Sequence, residues 1–134
     1  MDEARLQSVP LFAGLSCKER RGLAQRADEV DVESGHKLVR EGEFAYEFFA
    51  IEEGTAEVKR GDQLLAELGP GDFFGETGII ENAPRNATVT ATRALTAVVM
   101  TGSALRQIDR ELPDVAKKIR KAIDERCRQL AAAE

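Results

Sequence analysis

The sequence predicts a mainly β domain with helices on both sides, and three observations support this fold class. Short runs of alternating apolar and polar residues, separated by glycine-bearing turns, fill the middle of the chain. Helix-capping residues precede this region, and an apolar stripe at helical spacing follows it. The 134 residues suffice for one domain with its own core. We therefore expect a single domain over 1–134, with a helical segment at 1–28, a closed or double-sheet β structure at 29–101 and two helices at 103–133.

The residues before the β region predict a capped helix. Ser16 and Glu19 form a capping-box pattern, in which the serine hydroxyl accepts from the backbone amide three residues on and the glutamate reaches back. The apolar residues of this helix share one face: Leu23, Ala24 and Ala27. The preceding run, 9–15, is too short and broken for a long helix. We expect it to form a turn or short helical segment that places Phe12 in the core.

The middle of the chain predicts seven short strands. In chain order they lie around Val30 and Val32 and at 36–40, 46–51, 55–60, 63–68, 86–93 and 95–100. Ser34-Gly35 and Gly61-Asp62 are typical turn pairs. Other residues here are expected to be structural: Gly54, Gly69 and Gly71 in turns, four phenylalanines (Phe48, Phe49, Phe73 and Phe74) in the core, and His36 in a hairpin.

Two helices are predicted after the strands. Ser103 can cap the first, which would run to about Glu111, and Pro113 suits the first turn of the second. The second helix carries one apolar stripe: Val115, Ile119, Ile123, Cys127 and Leu130. This stripe must pack on the β structure or on a second subunit. The basic residues of the same helix are interspersed with acids and predict a solvated face.

Composition excludes several classes of partner. The net charge of −5 argues against general affinity for nucleic acid or anionic membrane. The longest uncharged run, 94–105, is too short to span a bilayer, and the first residues, 1–5, are too acidic for a secretion signal. Cys17 and Cys127 lie far apart without a motif. We interpret them as reduced thiols in a cytoplasmic protein.

One connection, 68–89, interrupts the strand pattern and carries the candidate binding chemistry. A connection of this length inside a compact domain is usually functional. Gly75 permits close backbone approach, and 76–80 can form a helical turn whose free amides attract an anion. Arg85 follows Pro84, whose ring restrains the backbone, so its guanidinium can offer paired donors to a phosphate. Glu76 would repel that phosphate, which suggests a ligand that also presents a hydroxyl, as a sugar does.

The residues at 74–76 and 84–89 resemble the phosphate-binding cassette of cyclic-nucleotide-binding domains. Such domains occur in catabolite activator proteins, protein kinase A regulatory subunits and cyclic-nucleotide-gated channels. The resemblance extends over nearly the whole chain, through 9–15, 35–43, 51–58 and the two last helices. It implies a double-stranded β-helix, or jelly roll, with N-terminal helices and two C-terminal hinge and lid helices.

The resemblance also implies a ligand and a site. Arg85 would pair with the cyclic phosphate and Glu76 would accept from the ribose 2′-hydroxyl, with backbone amides completing the cradle. The predicted ligand-binding residues are Gly75, Glu76, Thr77, Gly78, Arg85, Asn86 and Ala87. The ligand would be cAMP or cGMP, with cAMP favoured, and no cofactor or metal is expected. Asn86 stands where the family often has a small or hydroxyl residue, and Thr77 where an aliphatic one is common, which weakens the choice of base. The Thr77 hydroxyl either reaches the ligand or faces inward.

Other functional classes fit the residues less well. A cupin-type enzyme would need several His and carboxylate ligands, and the chain has one His. No serine or cysteine has a recognisable base partner for nucleophilic catalysis, so we expect no enzyme activity. No helix-turn-helix follows the last helix, so direct DNA binding is not expected. The alternative is a non-sensory docking or dimerisation module of the same fold with an empty or repurposed pocket. The expected partners are a cyclic nucleotide and either a second copy or an effector, in a chain that is complete or part of a longer protein.

Overall fold

The computed structural model describes residues 1–7, 9–43, 47–74 and 87–133, apart from the side chains of 123 and 126–133. In chain order its elements are α1 (Glu3–Gln7), a 3₁₀ helix (Pro10–Phe12), α2 (Cys17–Ala24), β1 (Asp28–Val32), β2 (Lys37–Val39), β3 (Glu47–Glu53), β4 (Ala56–Arg60), β5 (Gln63–Leu68), β6 (Phe73–Phe74), β7 (Thr88–Ala91), β8 (Leu95–Thr101), α3 (Gly102–Glu111) and α4 (Pro113–Ala133).

The eight strands form two antiparallel sheets of four. The first sheet has the order β1-β8-β3-β6 and the second has the order β2-β7-β4-β5. The chain crosses repeatedly from one sheet to the other, as in a jelly roll. The predicted fold class, mainly β with flanking helices, is confirmed.

The two central strands of the first sheet, β3 and β8, are buried on both faces in their middle residues. Along β3, Phe49 and Ile51 face the second sheet and pack with Val89 in the interior of the roll. The alternate residues, Phe48 and Ala50, face outward and pack against the helices. A strand buried on both sides must be apolar at successive positions, which explains the run at 48–51. The roll and the helices therefore share the first sheet as a common wall.

The N-terminal predictions are confirmed. The Ser16 hydroxyl accepts from the Glu19 amide at 3.1 Å, and the Ser16 amide donates to the Glu19 carboxylate at 2.9 Å, so the capping box is complete. The 3₁₀ helix carries Phe12 into the core, where the side chain is fully buried. Leu23, Ala24 and Ala27 are buried in the same core.

The first C-terminal helix begins earlier than predicted. Thr101, the last residue of β8, caps α3 by accepting from the Ala104 amide at 3.0 Å. The prediction of Ser103 as the cap is wrong, because Ser103 already lies in the first helical turn. Leu112 then breaks the helix with φ −131° and ψ 61°, and Pro113 opens α4 as predicted.

The apolar stripe of α4 packs on the domain's helical core at its described end. Val115 and Ile119 are buried there, whereas the side chains of Ile123, Cys127 and Leu130 lie outside the described residues. Within the described ranges, no helix combines the length and the apolar character that crossing a membrane requires.

The predicted strands are confirmed within two residues at each described end, with one addition. Phe73 and Phe74 form the short strand β6 against Ala50 and Phe49 of β3, inside the segment that was expected to be one long connection. Phe48, Phe49 and Phe74 are buried and Phe73 is half-buried, in line with a core role. Tyr46 and Asn86, at two predicted strand ends, lie outside the described residues.

Gly54 lies in the turn between β3 and β4, where the neighbouring backbone leaves no room for a side chain. Its φ is +91°, and a Cβ at this position would lie 2.3 Å from the Ala94 carbonyl oxygen. Gly35 has the same φ of +91°, but a Cβ there would meet nothing within 4 Å. A comparison of substitutions at Gly35 and Gly54 therefore separates the cost of a left-handed backbone from the cost of steric overlap.

We expect Gly35→Ala to lower the free energy of unfolding by about 1–2 kcal/mol, from the left-handed backbone alone. Gly54→Ala should lower it by about 3 kcal/mol or more, because the overlap with Ala94 adds to the same strain. Denaturant unfolding of both variants measures the difference, and equal losses would contradict the close approach at Gly54.

Candidate functional site

Most of the predicted binding residues lie outside the described residues. These are Gly75, Glu76, Thr77, Gly78, Arg85 and Asn86, within 75–86. Ala87 is described and is buried at 7% exposure, directly before β7. The described parts of the site are therefore the elements that precede and follow this segment.

A tight turn leads into the segment. The Asp72 carboxylate accepts from the Gly69 amide at 2.8 Å, and the Asp72 amide donates to the Gly69 carbonyl at 3.0 Å. Gly71 has φ +92°, as expected of a turn residue, and its amide donates to the Ile51 carbonyl at 3.0 Å. These bonds fasten the turn to β3 before the chain enters β6.

Aromatic packing anchors the start of the segment. The Phe74 ring stacks on the Phe49 ring with centroids 4.8 Å apart and an interplanar angle of 15°. Phe74 ends β6, at the edge of the first sheet. Phe74, the last described residue before the segment, is therefore fixed against β3.

The far end of the segment enters the second sheet at an internal strand. β7 lies between β2 and β4, and Thr88 pairs with Lys59 of β4. The Thr88 hydroxyl also accepts from the Glu41 amide at 3.0 Å. The predicted cassette thus starts at the edge of one sheet and ends inside the other.

The interior of the roll opens beside this point. Val89, Val58 and Ala66 are direct partners across β7, β4 and β5, so their side chains share the inward face. Burial falls along this row: Val89 is 4% exposed, Val58 is half-buried and Ala66 is exposed. The row crosses two strand spacings, roughly 10 Å. It forms an apolar floor that becomes accessible at β5.

β5 was not predicted to be part of the site. Leu64 and Leu65 are 48% and 41% exposed, and they are the large apolar side chains found exposed in the described part of the chain. Leu64 pairs with Lys59 on the outward face, whereas Leu65 lies at a bulge between Leu64 and Ala66. Two adjacent leucines in a strand that should alternate are the signal that could have drawn attention to it.

The last helix comes close to the turn that precedes the segment. A cleft of about 300 Å³ separates α4 from the 3₁₀ helix and the turn before β6. Its lining residues are Pro10, Leu11, Pro70, Gly71, Phe73, Ala122 and Glu125. α4 therefore lies close to the residues that lead into the predicted cassette.

Four residues of α4 are candidates for contacts with the base only through their position on the last helix, and the structure describes them in part: Arg120, Ile123, Asp124 and Arg126. Arg120 donates to the Asp109 carboxylate of α3 at 2.6 Å, and Asp124 is exposed, while the side chains of Ile123 and Arg126 lie outside the described residues. In this arrangement the Arg120 guanidinium is paired with a carboxylate of α3. Across the described ranges, His, Cys, Asp and Glu side chains nowhere form a group of three that could hold a metal ion.

Comparison with known proteins identifies the family. The sequence profile of the cyclic nucleotide-binding domain matches residues 29–111, more than half of the chain. The chain belongs to this family. The predicted class, a regulatory cyclic nucleotide-binding domain, is confirmed.

Two fungal proteins illustrate the sequence similarity. The chain is 40% identical over 96 residues to a cAMP-dependent protein kinase regulatory subunit of Mycosarcoma maydis, covering 69% of this chain and 18% of that protein. It is 36% identical over 104 residues to the regulatory subunit of Eremothecium gossypii, covering 77% and 23%. The chain spans about a fifth of the length of these curated relatives.

Solved structures agree with the fold. Catabolite activator protein from Thermus thermophilus superposes with a TM-score of 0.76 at 23% identity, covering 92% of this chain and 61% of that one. The regulatory domain of Toxoplasma gondii protein kinase A, crystallised with cAMP, superposes with a TM-score of 0.73 at 25% identity, covering 92% and 48%.

Proposed function

We propose that this domain binds cAMP, in preference to cGMP, and converts binding into a movement of its C-terminal helix. The observation that carries the proposal is the position of the described residues on either side of the cassette-like segment. Phe74 ends β6 in the first sheet, and Thr88 begins β7 in the second sheet, beside the row that becomes accessible at Ala66. A ligand held by that segment would lie over the floor.

Polar recognition is assigned to the segment. Arg85 pairs with the cyclic phosphate, and Glu76 accepts from the ribose 2′-hydroxyl. Backbone amides around Gly75, Thr77, Gly78, Asn86 and Ala87 complete the phosphate cradle. These assignments come from the resemblance of 74–76 and 84–89 to the family's cassette.

Apolar recognition is assigned to the floor. Ligand sites combine a mostly apolar lining with a few placed polar groups. Val58 and Ala66 supply apolar surface within about two strand spacings of β7, and the ligand's sugar and base edges would cover it. The preference for cAMP is supported by the names of the fungal relatives and by the cAMP bound to the Toxoplasma gondii domain.

Signalling requires a ligand that binds one position of α4 better than another. The cleft between α4, the 3₁₀ helix and the turn before β6 leaves space for such a movement. Couplings between sites are typically about 1–3 kcal/mol. The signal would pass to a second copy or to an effector protein or domain, and the domain itself would not be an enzyme. The exposed free thiol of Cys17 is compatible with the expected cytoplasmic location.

The phosphate assignment is tested by calorimetric titration with cAMP and then cGMP. Wild type should bind cAMP more tightly, and Arg85→Ala should weaken binding about 100-fold or more, because a phosphate would lose its countercharge. Arg85→Lys should recover only part of the loss, since an ammonium cannot make the paired contact. If wild type binds neither nucleotide at millimolar concentration, the non-sensory module replaces this proposal.

The ribose assignment predicts that Glu76→Gln weakens cAMP binding about tenfold, through loss of a charged acceptor. The same substitution should change the affinity for 2′-deoxy-cAMP by less than twofold, because that analogue has no 2′-hydroxyl. Parallel titrations with both nucleotides give the comparison. Equal losses for the two ligands would remove the ribose role from Glu76.

The floor assignment predicts different effects for two positions of one exposed strand. Ala66→Glu should weaken cAMP binding at least about tenfold, because it places a charged carboxylate in the apolar row that the sugar and base would cover. Leu64→Glu makes the control, since its side chain pairs with Lys59 on the outward face, and its effect should stay below twofold. Similar affinities for both variants would place the ligand elsewhere.

A further inference from the structure

One face of α2 lies along the joint between α3 and α4. Glu19 and Gly22 lie one turn apart on α2, and Arg26 follows two residues after the end of this helix. Their partners run in the opposite direction along the chain: Lys118 for Glu19, Leu112 for Gly22 and Glu111 for Arg26. Three contacts in one line join elements that are remote in sequence.

Glu19 links the start of α2 to α4. Its carboxylate accepts from Lys118 Nζ at 2.8 Å while also accepting from the Ser16 amide of the capping box. The hydrogen bond from Lys118, followed by that from Ser16, holds the pKa of Glu19 below its usual value. The Glu19 side chain is 19% exposed and the Lys118 side chain is 52% exposed, so added salt can screen this pair.

Arg26 links the end of α2 to the end of α3. Its Nη1 donates to the Gly22 carbonyl at 2.7 Å, and its Nη2 donates to the Glu111 carboxylate at 2.5 Å. The hydrogen bond from Arg26, followed by that from Gln107, lowers the pKa of Glu111. The Arg26 guanidinium therefore hydrogen-bonds both to a backbone carbonyl in the last turn of α2 and to a carboxylate at the end of α3.

Gly22 brings the two parts into close contact between these ion pairs. A Cβ at Gly22 would lie 3.2 Å from Leu112 Cδ1. Leu112 is the non-helical residue between α3 and α4, and hinge motions are absorbed by residues of this kind. The contact of Gly22 therefore lies at Leu112, the residue that joins α3 to α4.

We propose that Glu19, Gly22 and Arg26 form a latch on Lys118, Leu112 and Glu111, which holds α4 in the position seen here. Because both ion pairs cross between α2 and the joint, α4 can move only if α2 moves with it or the latch opens. The latch acts in the chain without ligand, so it does not depend on the identity of the nucleotide. It sets how readily α4 leaves this position.

Hydrogen–deuterium exchange of the purified chain without nucleotide tests the latch. Lys118→Glu should accelerate exchange about two- to fivefold in α4 and also in 17–24 of α2, because local opening becomes easier on both sides of the contact. Lys118→Arg keeps the charge and should preserve protection in both helices. In wild type, raising the salt concentration from about 0.05 to 0.5 M should act in the same direction as Lys118→Glu.

Lys117→Glu is the matched control, because it makes the same charge change on an exposed neighbouring residue of α4 that is not part of the latch. It should leave exchange in α2 unchanged. The proposal is overturned if Lys118→Glu affects α4 alone, or if Lys117→Glu accelerates exchange in α2 as strongly. Nucleotide titration is not needed for either reading, so failure of the latch and failure of the proposed ligand are separate results.

Discussion

Burial of the centre of the first sheet on both faces is the constraint on which the rest of the structure depends. β3 and β8 must satisfy two apolar cores at once, with Phe49 and Ala97 facing the roll and Phe48 and Val98 facing the helices. Successive residues in the middle of these strands therefore contribute to one core and then the other. A polar side chain in the centre of either strand would lack a partner on whichever side it faced.

This shared wall gives the domain its functional geometry. β6 is fixed to β3 by the stacked rings of Phe49 and Phe74, and the helices rest on the opposite face of the same sheet. The cassette-like segment therefore follows β6, which belongs to this shared sheet. Phe73 of β6 lines the same cleft as Ala122 and Glu125 of α4. The second sheet contributes β7, which follows the segment, and the inward row from Val89 to Ala66.

Local signals accounted for most of the elements. The capping box at Ser16, the turn at Gly35 and the start of α4 at Pro113 depend on residues within a few positions, so the sequence reveals them. β6 was missed because two residues are too few to show a period, and pairing with β3 alone makes them a strand. The cap of α3 was misplaced because Thr101 becomes the cap only where β8 stops pairing with β3, and this pairing is not a local property.

The candidate site also combines features that the sequence determines with features that depend on the tertiary structure. The sequence by itself determined the residue types that suit a sugar phosphate, the family resemblance and the order of helices and strands. Only the tertiary structure decided that Ala66 lies exposed on an inward row, and that Glu19 and Arg26 meet Lys118 and Glu111 across separations of 99 and 85 residues. The physical reason is that periodicity and capping act over a few residues, whereas such contacts arise from how the sheets and helices pack together.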